Sequence, residues 1–192
     1  PLSMGMDVDQ AWNAQILRQA KDLGYKVVVR DPNWSTDAGA RALTALINEK
    51  PSVLIVQNPD VQSYARLLKK AQAAGIYVVQ VNMKSAYPTE SYAGPDWVRM
   101  GEMLADLQVK HCGGDTQTSH KIAIMQGALT AAASVYQIKG VTNVLSQHPE
   151  VQIVSNQAAD WDASKARGVM ATVLQQHPDL CGVIGFWEGQ DT

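Results

Sequence analysis

Residues 53–81 read VLIVQNPDVQSYARLLKKAQAAGIYVVQV, and this stretch decides the fold class. It opens with a short apolar run, Val53 to Val56, and closes with another, Ile76 to Val81. Between these runs, residues 60–74 carry apolar side chains at helical spacing, and Gly75 ends the pattern. Two apolar strands joined through a helix form a βαβ unit, in which the strands are parallel and buried on both faces. The stretch therefore predicts an α/β protein with a parallel sheet.

The same alternation extends in both directions from this unit. Upstream, the pattern predicts helices at 9–23 and 36–49 with a strand, Tyr25 to Val29, between them. After residue 96 the alternation begins again. There we predict helices at 96–110, 131–146 and 162–176, and strands at 121–125, 151–155 and 183–186. A parallel sheet covered by helices on both faces is thus predicted twice.

This repetition predicts two domains, an N-terminal lobe at 1–94 and a C-terminal lobe at 95–192, each a doubly wound parallel sheet. The N-terminal lobe lacks an opening strand, since the chain passes from a loop directly into a helix. The C-terminal lobe is incomplete, since only a few residues follow its last strand, which ends at Phe186. We expect the natural protein to be longer at both ends.

Composition and motif content argue against several functions. The net charge is -2 and the basic residues are scattered, so we expect no nucleic-acid partner. No stretch approaches the eighteen or so apolar residues of a membrane span. The histidines and cysteines follow no metal-ligand spacing, and no nucleotide-binding or nucleophile motif is present. We therefore expect no metal, no cofactor and no catalysis.

Six short segments follow one another along nearly the whole chain. They are AKDLGY at 20–25, AAGIYVV at 73–79, YAGPD at 92–96, KIAIMQG at 121–127, ADWD at 159–162 and HPD at 177–179. Each is weak alone, but their order and spacing together resemble the ribose-binding-like, type I periplasmic solute-binding proteins of ABC sugar transporters.

The resemblance implies two lobes of the type I periplasmic binding protein fold, joined by a hinge and closing on a small polar ligand such as a sugar or polyol. It also implies a periplasmic location and an ABC permease in the membrane as partner. Two further readings share the fold: the effector-binding core of a LacI-type transcription regulator, and a periplasmic sensor subunit for a signalling receptor. An enzyme on a similar scaffold is a third alternative, because fold alone does not fix function.

Candidate ligand-binding residues follow from the rule that open parallel sheets bind ligands beyond the carboxyl ends of their strands. Six residues of this kind are Asp7, Asp9, Asn82, Lys84, Trp161 and Trp187. The rings of the two tryptophans suit the apolar face of a small ligand. The two aspartates equally suit capping of the first helix. We expect Trp12 and Trp34 to serve packing, and Asp96 to cap the helix that begins at Trp97.

Some of these positions depart from the family pattern. Asn82 stands where the family usually has an aspartate, and Met83 and Val135 stand where pentose binders carry arginines. Trp187 stands where an asparagine is common. The changes remove planar donors and add apolar surface, so the pentose-type arrangement of donors is not expected here. Lys84 is the nearest replacement cation.

Cys112 and Cys181 are either two buried thiols or one disulfide. Cys112 follows a helix and Cys181 begins a strand, and in a parallel sheet these two kinds of position lie at the same edge. The periplasmic location implied by the resemblance allows oxidation. We therefore expect a structural disulfide at the edge opposite the ligand.

Overall fold

The computed structural model describes residues 1–191, which form two compact units, Pro1–Gly94 and Pro95 onward. The first unit contains α1 (Asp7–Asp22), α2 (Thr36–Asn48), β1 (Val53–Val56), α3 (Ala65–Ala73), β2 (Tyr77–Val81) and β3 (Ser91–Ala93). The second contains α4 (Trp97–Cys112), β4 (Lys121–Gln126), α5 (Ala132–Leu145), β5 (Gln152–Ala158), α6 (Ala163–Gln176) and β6 (Gly182–Gly185).

The sheet of the first unit has the order β1-β2-β3, and both pairings are parallel. Helices α2 and α3 cover one face of this sheet. The core between them contains Leu43, Ile47, Leu54, Val56, Leu68 and Val78. The predicted βαβ unit is therefore present, although α3 begins at Ala65 rather than residue 60. The Asp60 carboxylate instead accepts hydrogen bonds from the backbone N–H groups of Gln62 and Ser63, which forms a turn ahead of the helix.

The strand predicted at Tyr25–Val29 is not formed, and this prediction is wrong for the structure. Within residues 1–191, no backbone hydrogen bond joins 26–30 to another segment. Val28 and Val29 are 41% and 38% exposed. A run of valines favours strand geometry, but a strand exists only when a neighbour completes its ladder.

The sheet of the second unit has the order β5-β4-β6, again entirely parallel. The central strand β4 supplies Ile122 and Ile124 to the core. Helices α4 and α5 approach closely: a Cβ at Gly101 would lie 2.1 Å from the carbonyl oxygen of Gln137. No helix within residues 1–191 combines the length and apolar character needed to span a bilayer.

The disulfide between Cys112 and Cys181 is present, which confirms that prediction. The two Cα atoms lie 5.9 Å apart, at the end of α4 and just before β6. The Cys181 N–H donates to the carbonyl oxygen of Lys121, the first residue of β4. The disulfide therefore lies at the amino edge of the sheet, where it links the end of α4 to the start of β6.

The side chain of Asp96 accepts a hydrogen bond from the backbone N–H of Arg99, 3.0 Å away, so Asp96 caps α4 as expected. Ser35 caps α2 in the same way, through the N–H of Ala38.

Candidate functional site

The loop that follows β2 carries Asn82 and Lys84 and rests on a network of buried amides. The Asn58 side-chain nitrogen donates to the Gln80 side-chain oxygen and to the Met83 carbonyl oxygen, each at 2.9 Å. Gln80 also accepts a bond from the Ser85 backbone N–H at 2.6 Å. Asn58 and Gln80 are 0% and 2% exposed, so these bonds form away from water, where polar groups strongly require partners. The network therefore holds in place the loop that carries Asn82 and Lys84.

Asn82 itself has a left-handed backbone, with φ of 56°, a conformation that asparagine tolerates better than most residues. Its N–H donates to the Ala93 carbonyl oxygen at 2.9 Å, and its carbonyl oxygen accepts from the Tyr92 hydroxyl at 2.7 Å. Gly94 permits this arrangement, since a Cβ there would lie 2.9 Å from the Asn82 Cα atom. The backbone of Asn82 is therefore held from two sides.

The Lys84 ammonium nitrogen lies 5.2 Å from the centre of the Tyr92 ring, within cation–π range. The structure thus brings Asn82, Lys84 and Tyr92 together. The sequence reasoning did not select Tyr92, although it belongs to the YAGPD segment. An aromatic residue in the short strand that pairs with the end of β2 is the signal by which it could have been found.

Asp7 and Asp9 lie on the first turn of α1 but in different environments. Asp7 is exposed, whereas Asp9 is 3% exposed and accepts from the Ser3 N–H at 3.4 Å. Burial raises the pKa of the Asp9 carboxyl, and the bond from Ser3 opposes that effect only in part. The N-cap residue is Met6, so neither aspartate occupies the cap position.

Trp161 and Trp187 meet at the carboxyl ends of β5 and β6. Their ring centres are 6.2 Å apart and the ring planes cross at 80°, an edge-to-face contact. Trp161 has a left-handed backbone with φ of 65°. Its ring lies against Gly127, where a Cβ would come within 2.1 Å of the ring carbons. Both tryptophans are half-buried, so part of each ring remains open to solvent.

Polar groups also occur on these strands and on the loops that follow them. The Gln126 side-chain nitrogen donates to the Asn156 side-chain oxygen at 2.7 Å, and Asp160 forms an ion pair with Lys165 at 3.0 Å. Gln190 is 1% exposed, and its side-chain oxygen has no hydrogen-bond partner within the described part of the chain. Burial raises the pKa of Asp191, which lies against Gly185.

The two apolar residues expected at the arginine positions of pentose binders are both at least partly buried. Met83 is buried, and its carbonyl oxygen belongs to the amide network. Val135 is half-buried on α5. Across residues 1–191, no cluster of three or more histidine, cysteine, aspartate or glutamate side chains is placed to hold a metal ion.

The sequence pattern of the periplasmic binding protein domain family matches residues 3–191. A ribose import binding protein of Bacillus subtilis is 28% identical over 169 residues, which cover 88% of this chain and 53% of that protein. A D-apiose import binding protein of Paraburkholderia graminis is 25% identical over 176 residues, covering 91% of this chain and 54% of that protein. The chain therefore spans about half the length of these relatives.

A Caulobacter myo-inositol binding protein, solved with myo-inositol bound, shares the fold with a TM-score of 0.83. It is 22% identical, and the match covers 98% of this chain and 65% of that one. The order of the six short segments and the parallel sheets both agree with the match of this family over residues 3–191. The chain belongs to the periplasmic binding protein domain family, and within it to the ribose-binding-like, type I group.

Proposed function

We propose that the protein binds a sugar or polyol and delivers it, chemically unchanged, to the permease of an ABC importer. The observation that carries this proposal is the contact between Trp161 and Trp187 at the carboxyl ends of their strands. Indole faces pack against the C–H face of a polyhydroxylated ligand, while neighbouring amides bind its hydroxyls. The relatives named for ribose and D-apiose support the same class of ligand.

The first unit contributes polar groups that suit hydroxyls. The side-chain amide of Asn82 both donates and accepts, as a hydroxyl does, and its backbone is already fixed. Lys84 and Tyr92 lie beside it. A residue whose backbone is already fixed loses less freedom when the ligand binds, which favours affinity. We propose Asn82, Lys84, Trp161 and Trp187 as ligand contacts, with Asp7 as an exposed candidate on α1.

Asp9 is proposed as a structural residue and not as a ligand contact. Its carboxylate is buried and accepts from Ser3, so we assign it to holding the loop before α1. The loop in turn holds the first turn of α1, which carries Asp7. Asp9 therefore acts on the ligand through its neighbours.

The disulfide supports a periplasmic location. Structural disulfides form and persist in oxidising compartments and are rare in the cytosol. The bond between Cys112 and Cys181 closes a sequence separation of 69 residues within one unit. It favours a solute receptor or sensor subunit outside the cytoplasm over a LacI-type regulator.

A thermal-shift screen of the full-length protein tests the ligand class. Ribose, apiose, xylitol and myo-inositol form one set, and amino acids and small amines form the other. A ligand at 100 times its dissociation constant stabilises the folded state by about 2.7 kcal/mol. That free energy corresponds to a rise in Tm of roughly 5–11 °C for a protein of 150–250 residues, and to a smaller rise for a longer one. A shift with amines or amino acids and none with any sugar or polyol would refute the proposal.

A further inference from the structure

Trp34 is the one exposed tryptophan among the five of the chain, all of which lie within residues 1–191. It is 50% exposed, a degree of exposure that packing alone does not explain. Single exposed apolar residues are common on protein surfaces, so the exposure by itself indicates no function. Trp34 is distinguished by the conformation of its backbone and by its position relative to the sheet.

Asn33 and Trp34 both have left-handed backbones, with φ of 45° and 68°. For a residue as bulky as tryptophan this conformation is strained, and it persists only where the surroundings impose it. The Asn33 N–H donates to the Asp31 side-chain oxygen at 2.9 Å. The Trp34 N–H donates to the Leu2 carbonyl oxygen, also at 2.9 Å. Strained residues that are held in this way concentrate at ligand-binding sites.

The second unit contains the same turn. Asp160 and Trp161 are left-handed as well, with φ of 53° and 65°. In each unit the tryptophan is followed by the residue that caps the next helix, Ser35 for α2 and Asp162 for α6. The N–H of each cap residue donates to the carbonyl oxygen three residues earlier, at 3.0 Å in the first unit and 2.9 Å in the second. Trp34 is therefore the counterpart of Trp161.

Trp34 also lies at the carboxyl edge of its sheet, as Trp161 does. The Leu2 residue that accepts from Trp34 donates its own N–H to the Gln57 side-chain oxygen at 3.0 Å. Gln57 directly follows β1. Trp34 is thereby linked to the carboxyl end of a parallel strand, the edge at which open sheets bind ligands. Asn82 follows β2 at the same edge.

The two rings differ in what covers them. Trp161 lies against Gly127 and meets the Trp187 ring, which leaves it half-buried. Leu2 precedes α1 by the same five positions by which Gly127 precedes α5, and Leu2 carries a side chain where Gly127 has none. The Trp34 ring therefore lacks the glycine contact that Trp161 has, and it stays open to solvent.

On the basis of the proposed function, we infer that Trp34 binds the same sugar or polyol, with its indole packed against a C–H face of that molecule. Trp34 supplies to the first unit the aromatic surface that Trp161 supplies to the second. Its backbone is fixed before the sugar or polyol binds, so less freedom is lost on binding than for an aromatic residue on an unrestrained loop.

Titration calorimetry on the natural full-length protein tests this role. Ribose, apiose, xylitol and myo-inositol are each titrated into the parent, Trp34→Ala, Trp34→Phe and Tyr25→Ala. For every compound that the parent binds, Trp34→Ala should weaken affinity about tenfold or more, because it removes a stacking surface. Trp34→Phe should retain most of the affinity, since it keeps an aromatic face. Tyr25→Ala should bind as the parent does, because Tyr25 is 57% exposed but lies at the other end of the segment that leads to Trp34.

The titrations distinguish two failures. If the parent binds none of the four compounds, the proposed function is overturned, and the role of Trp34 with it. If the parent binds and Trp34→Ala binds equally tightly, the role of Trp34 alone is overturned.

Fluorine NMR separates a contact from an effect on folding. The protein is labelled with 5-fluorotryptophan, and the Trp34 resonance is identified as the one missing from Trp34→Phe. In the free protein that resonance should differ between H2O and D2O, because Trp34 is exposed. Saturation with a compound that the parent binds should shift the resonance and remove most of this solvent effect. A Trp34 resonance that saturation leaves unchanged overturns the proposal even if Trp34→Ala binds weakly, because the loss of affinity would then come from the fold.

Discussion

The ring of Trp161 meets the ring of Trp187 edge to face, with 6.2 Å between ring centres. The two residues are 26 positions apart in sequence, and each lies just after a strand of the same sheet. Parallel strands bring their carboxyl ends to one edge, so the contact follows from topology. The pair presents two indole surfaces at different orientations on the edge where ligands bind in such sheets.

Replacing either tryptophan by alanine should weaken sugar or polyol binding by roughly 1–3 kcal/mol, the value of burying a large apolar side chain. Stability should fall less, since both rings are half-buried. Isothermal titration calorimetry gives the affinity and thermal melting gives the stability. Tyr77→Ala is the matched control, because Tyr77 is an exposed aromatic at the amino end of β2. Normal binding by both tryptophan variants would reassign the rings to packing.

Gly127→Ala should impair binding by displacing the Trp161 ring. The new Cβ would lie 2.1 Å from ring carbons, so either the ring or the loop must move. We expect about a tenfold loss of affinity or more, comparable to part of the Trp161→Ala effect. Trp fluorescence should change at the same time, because the indole environment changes.

Gly168→Ala is the control for that substitution. Gly168 lies in α6 and a Cβ there meets no atom within 4 Å. Alanine favours the helix over glycine by about 0.8–1 kcal/mol, so this variant should be slightly more stable and bind normally. Equal binding by the two glycine variants would show that the position of Trp161 does not govern affinity.

The spacing of apolar residues was sufficient to predict the helices and most strands, because it reflects which face of each helix or strand is buried. β3 was not predicted, since Ser91–Ala93 is short and lacks an apolar run. The segment Tyr25–Val29 was wrongly predicted as a strand. Its composition favours a strand, but a strand forms only when a neighbouring strand pairs with it, and composition does not report that neighbour. The disulfide was predicted from two arguments together: topology places helix ends and strand starts at one edge, and the family resemblance implied an oxidising compartment.

The residues at the carboxyl ends of the strands were predictable only as far as strand ends could be located. Asn82 and Trp161 were selected as candidates because they follow apolar runs. The amide network of Asn58 and Gln80 was not, since a bond between side chains 22 residues apart leaves no local signal. Nor does sequence distinguish Asp7 from Asp9, because their burial depends on how the preceding loop folds back.

Asp9→Asn should change how stability depends on pH. Burial raises the pKa of Asp9 above its unfolded value, so the folded state retains its proton to higher pH than the unfolded state. Stability therefore falls as pH rises from the unfolded pKa through the folded pKa, and stays lower above it. Asparagine carries no charge and can still accept from the Ser3 N–H.

Thermal melts at pH 4 and pH 7 provide the comparison. The neutral variant should gain stability relative to the parent at pH 7 and lose that advantage toward pH 4. Asp7 is exposed and serves as the control. A larger loss of stability at pH 7 in Asp9→Asn than in Asp7→Asn would contradict this prediction, because it would mean that a neutral hydrogen-bond acceptor cannot replace the carboxylate.

Reduction of the disulfide between Cys112 and Cys181 should lower stability and leave ligand affinity unchanged. Closing a loop of this length stabilises the folded state by about 4 kcal/mol in the chain-entropy model. Melts with and without dithiothreitol should therefore differ by roughly 8–16 °C. The sulfurs lie at the amino edge of the sheet, opposite the carboxyl ends that carry Trp161 and Trp187, so affinity measured well below the melting point should be retained.

A Cys112→Ala/Cys181→Ala variant should melt like the reduced protein and show no response to dithiothreitol. Two titratable thiols in unfolded, unreduced protein would contradict the bond itself, and a tenfold loss of affinity on reduction would contradict the separation of the two edges.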